Sequence, residues 1–150
     1  MTNKLFEDKI KATLSGDTLN NALGFVAFLL ANENLLAEPC EGADGWNIYV
    51  KGINSAYVCF SGEKNNFDIV LHINTYDGEE PVDDDLKEFA WAHVIICPKG
   101  CGSSTFCGNS KLNEKIFEKE YERICQSPLY FPNPSDKEMK MVQKLLLLFR

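Results

Sequence analysis

The sequence predicts an α+β fold: a small antiparallel β-meander of about three strands or more, packed with four to five helices in a single domain over residues 1–150. Three observations predict it. Apolar residues recur at helical spacing near both ends of the chain, whereas from Trp46 to Ile73 they alternate with polar ones in short runs. Those runs are joined by tight turns, which suit antiparallel pairing, since parallel strands need crossovers of a dozen residues or more. With 45% hydrophobic and 25% charged residues in 150, the composition is that of a globular chain able to bury a core.

The elements follow in order. Phe6, Ile10 and Leu14 mark one face of a short helix that Gly16 and Asp17 interrupt. A second helix is expected from Leu19 to about Leu36, with Ala22, Leu23, Val26 and Leu30 on a face that Phe25, Phe28 and Leu29 widen. Breakers make Glu38–Gly45 a loop. Trp46–Lys51, Ala56–Phe60 and the alternating stretch from Phe67 read as strands, with a turn at Gly52 and a polar hairpin loop from Ser61 to Asn66. Asp83, Asp84 and Asp85 place negative charge at the positive pole of a helix carrying Leu86, Phe89, Ala90, His93 and Val94. Another helix is expected from Lys111 to about Cys125, capped by Ser110, with Ile116, Phe117, Tyr121 and Ile124 as its apolar residues. Pro128, Pro132 and Pro134 break the chain there. Ser135 to Glu138 then forms a capping box for a last helix bearing Met139, Val142, Leu146 and Phe149.

The chemistry-bearing stretch is the Cys/Gly-rich loop at 97–110, which holds Cys97, Cys101 and Cys107 among three glycines, with Cys125 further on. Thiolates about 2.3 Å from a zinc ion require close cysteines on turns. Cys97-Pro98-Lys99-Gly100-Cys101-Gly102 resembles the first knuckle of zinc ribbons and rubredoxins, Cys-Pro-x-Cys-Gly, in its leading proline and trailing glycine. It departs from that pattern in having three residues between the cysteines where the pattern has two. Cys97, Cys101, Cys107 and Cys125 are therefore the candidate ligands of a structural zinc. An iron–sulfur cluster and buried, unliganded thiols stay open beside it.

A competing expectation is a thiol-dependent enzyme or redox-active protein using Cys107 or Cys101. Cys107 precedes an expected helix start, where the positive pole would lower its pKa. The segment is not a phosphate-binding P-loop, because Gly108 is followed by Asn109-Ser110-Lys111. The acidic residues from Asp77 to Asp85 lack the order of a calcium loop. His93, on the apolar stripe of its helix, is expected to be a hydrogen-bonded structural residue.

Charge and hydropathy bound the partners. Twenty-two acidic against 15 basic residues give a net charge of −7, which argues against nucleic acid. The apolar run Ala22–Ala31 is about half of the ~20 residues a membrane span needs, so no membrane partner is expected. No signal-peptide pattern is read at the N-terminus, and a cytoplasmic location with reduced thiols is expected. The first functional expectation is a small binding or interaction domain, not an enzyme, with an unknown protein or small-molecule partner. Trp46, Tyr49, Tyr57 and Phe60 suggest aromatic walls for a groove if helices cover one side of the sheet. The Leu145–Phe149 ending is expected either to dock in the core or to make a homodimer surface.

Overall fold

The structure is a computed structural model, which describes residues 2–41, 45–72, 81–96 and 111–148. Its elements are α1 (Thr2–Thr13), α2 (Gly16–Ala31), β1 (Leu35–Pro39), β2 (Gly45–Val50), β3 (Ile53–Ser61), β4 (Asn66–Leu71), α3 (Asp84–Ala92), β5 (Val94–Ile96), β6 (Lys111–Ile116), β7 (Lys119–Phe131) and α4 (Asp136–Leu148). All described strand pairs are antiparallel, in the order β1-β2-β3-β4-β7-β5, with β6 also on β7. The expected α+β class and meander are present, and the sheet extends well beyond three strands.

Alternation along the strands sorts the sheet into two faces. Ala37, Ile48, Ala56, Leu71, Leu129 and Val94 lie in register across six strands, and Pro39, Trp46, Val58, Ile69 and Phe131 form the next row. Most of these side chains are buried, and the helices pack on them. Phe6 of α1 meets Trp46 at a ring-centroid distance of 5.0 Å, Phe25 of α2 meets Phe67 at 6.0 Å, and Phe89 of α3 stacks on Phe131 at 5.2 Å. In α4, Met139, Val142, Leu145 and Leu146 are buried, so the leucine-rich ending docks in the core up to the last described residue. Its capping box forms as expected: the Ser135 amide donates to Glu138 Oε1 at 3.1 Å, and the Glu138 amide donates to Ser135 Oγ at 3.2 Å.

Several expectations are corrected. Val94, expected on the helix with Leu86, begins strand β5 because α3 ends at Ala92, and Glu38 and Pro39, expected in a loop, end strand β1. The second helix ends at Ala31, where the Asn32 amide donates to Leu29 O and its side chain donates to Phe28 O, and the chain continues into strand β1. The stretch from Lys111 to Cys125 is not a helix but the β6–β7 hairpin. α3 holds that hairpin: Trp91 Nε1 donates to Ile116 O at 2.8 Å, Lys87 pairs with Glu118, and Lys119 lies over the Trp91 and Tyr121 rings. Ile116 and Ile124 are thereby buried, a packing gain that outweighs the helix preference of the intervening Glu and Lys residues.

The free edge of β1 is covered by a side chain. Asn3 Nδ2 donates to Leu35 O at 3.2 Å, and the Ala37 amide donates to Asn3 Oδ1 at 2.7 Å, so one amide takes the place of a neighbouring strand. Asn3→Ala is expected to lose about 1–2 kcal/mol in urea unfolding, because both backbone groups lose a part-buried partner. A loss under about 0.3 kcal/mol would show that water replaces Asn3 without penalty.

Candidate functional site

Of the four candidate metal ligands, Cys97, Cys101 and Cys107 lie outside the described residues. Cys125 sits half-buried on strand β7, as a free thiol, rather than near the end of a helix. Its neighbour Ile124 has strand partners on both sides: Ile96 of β5 and Lys111 of β6. A strand residue has one neighbour per side, so the chain leaves at Ile96 on one flank of β7 and returns at Lys111 on the other. Two strand spacings put these anchors about 10 Å apart. The fourteen residues between them join the two flanks of the residue next to Cys125. Among the described residues, no group of three or more His, Cys, Asp or Glu side chains is placed to hold a metal.

The face of the sheet opposite the helices carries a different set of residues. Glu38, Asn47, Tyr57, Val70 and Tyr130 lie in register across five strands, with Gly45, Cys59 and Asp68 as the adjacent row. Tyr57 lies diagonally over Gly45, so closely that a Cβ there would fall 2.0 Å from the Tyr57 hydroxyl oxygen. The aromatic residues grouped by sequence thus divide: Trp46 and Phe60 pack toward α1, while Tyr49 and Tyr57 alternate to the other side.

Asp68 organises this face. It accepts hydrogen bonds from Asn66 Nδ2 at 2.9 Å, from the Tyr130 hydroxyl at 3.2 Å and from the Asn133 amide at 2.9 Å. Burial, followed by the Asp68 charge across the strand, raises the pKa of the Cys59 thiol, and the same two causes lead the rise for the Tyr130 hydroxyl. A thiol held in its protonated form is a poor nucleophile, so this cluster is suited to hydrogen bonding and contact rather than covalent chemistry. Sequence reasoning missed Asp68 and Tyr130. The available signal was the polar partner opposite Cys59 in the hairpin register, which the loop Ser61–Asn66 already defined.

The histidines are structural in their contacts. His93 Nδ1–H donates to Phe89 O at 2.7 Å, with the ring between Phe89 and Phe131, as expected from the sequence. His72 Nδ1 and the Ser127 hydroxyl, 2.6 Å apart, join the end of β4 to β7. Of the acidic run, Asp83, Asp84 and Asp85 stand at the start of α3, and residues 77–80 lie outside the described residues. No described helix is long and apolar enough to cross a membrane. Compared with known protein families, with curated proteins and with solved structures, the chain matches none.

Proposed function

We propose that this chain is a small binding domain, without catalysis of its own, whose 97–110 segment is clasped by a structural zinc on Cys97, Cys101, Cys107 and Cys125. One observation carries the clasp: the anchors of the segment, Ile96 and Lys111, both pair with Ile124, the residue next to Cys125. A segment tethered on both sides of β7 has little distance to travel to bring three thiolates to a fourth. The partner-binding part draws its support from the face opposite the helices, where Tyr57, Tyr130 and Asp68 place aromatic and acceptor groups on three neighbouring strands.

Elemental analysis of untagged protein, purified without chelators, is expected to give about one zinc per chain, with the cluster thiols protected from alkylation together. Metal-free protein in which Cys107 or Cys101 alone alkylates early would replace the clasp by a thiol-dependent activity. Metal-free protein with uniformly slow thiols would leave only the binding domain.

A further inference from the structure

We infer that the cleft between α1 and the β3–β4 hairpin is a binding site for a small planar aromatic acid. The cleft has a volume of about 690 Å³, within the range of about 300–1,000 Å³ typical of small-molecule pockets. Its lining includes the aromatic Trp46 and Phe60, the basic Lys9 and Lys64, and the polar Asn66 and Asp68.

Each part constrains the ligand. Lys9 and Lys64 line the cleft, are exposed and enter no ion pair among the described residues, in a chain of net charge −7. They favour an anionic ligand. Trp46 and Phe60, both against Phe6, form a fixed aromatic surface that suits a flat ring. Asn66 turns its Nδ2 to the Asp68 carboxylate, so these two lining side chains already bond to each other. The Asp68 carboxylate disfavours a second negative charge beside it. An aromatic wall and two lysines define the class.

The walls are rigid without a ligand. The Asn65 side chain fastens the hairpin to the start of α2, accepting from the Ser15 amide at 3.0 Å and donating to Ser15 O at 3.3 Å. The cleft therefore needs no closing motion, and binding does not have to offset the ordering of a loop.

None of these lining residues is a candidate zinc ligand, and the metal assay reads the clasp independently. The test uses the full chain with a panel of probes: indole-3-acetate, 2-naphthoate and 8-anilinonaphthalene-1-sulfonate, each followed by ¹H–¹⁵N NMR at the Trp46 indole and Gly62 amide. Saturable shifts are expected for at least one acid. Affinity for it should fall at least tenfold on replacing the acid by its neutral ester or amide, and equally in the Lys9→Met/Lys64→Met double variant. Lys9→Arg/Lys64→Arg should keep it. No saturable shift with any acid, or neutral forms that bind as well as the acids, would overturn the proposal. So would double-Met protein that folds with native spectra and binds unchanged.

Discussion

Phe131→Ala is expected to lower the free energy of unfolding by about 3–5 kcal/mol, the range for removing a large side chain from a tightly packed core. Phe131 is 1% exposed and sits at a junction of three elements. Its backbone pairs with Ile69 at the centre of the sheet, its ring stacks on Phe89 of α3, and His93 lies 4.8 Å away. Alanine would leave a cavity that the β4–β7 ladder cannot close, because the strands are fixed by their own hydrogen bonds. Urea denaturation followed by circular dichroism measures the loss. A fall under about 1 kcal/mol would mean that α3 shifts freely onto the sheet, contrary to the packing described.

Asp68→Ala is expected to cost about 2–3 kcal/mol, because a charged acceptor with three donors leaves the Asn133 amide, the Tyr130 hydroxyl and the Asn66 amide to find water. The same substitution has a pH signature. The folded state raises the pKa of Cys59 and of Tyr130, so it retains protons that the unfolded chain gives up. Stability from these groups is therefore fully present below the ordinary thiol range of about 8.5 and is lost as pH rises through the raised values. Without Asp68 the alkaline decline should be shallower, though not absent, since burial is the larger cause. Cys59 should also alkylate faster at pH 8.5 in Asp68→Ala than in the native protein. An unchanged rate and an unchanged alkaline slope would remove Asp68 from the account.

Much of the fold was legible because local pattern and tertiary need agree. The Ser135–Glu138 box, the Phe67–Leu71 alternation and the Phe6–Ile10 spacing each satisfy a local rule that the core also rewards. The β6–β7 hairpin was not legible, because Glu114, Lys115, Glu118, Lys119, Glu120 and Glu122 are favourable or neutral in a helix. What decides there is non-local: Trp91 and Lys87, some 25 to 31 residues earlier, hold the hairpin onto α3. Strand β1 was hidden behind a helix whose stop signal was only Asn32 and Asn34. The site was legible at Cys125 as a residue but not as a place, since its position beside Ile124 depends on pairing with two distant strands. Asp68 escaped for a related reason: its three donors come from β4, β7 and the turn after β7.

The clasp beside Ile124 is tested most directly by native mass spectrometry of untagged protein and two single variants. The native chain is predicted to carry a mass increment of about one zinc ion, lost in Cys125→Ser and retained in Cys59→Ser, whose strand β3 is separated from β7 by β4. A native chain without metal, or a Cys125→Ser variant that still binds zinc as tightly, would contradict it.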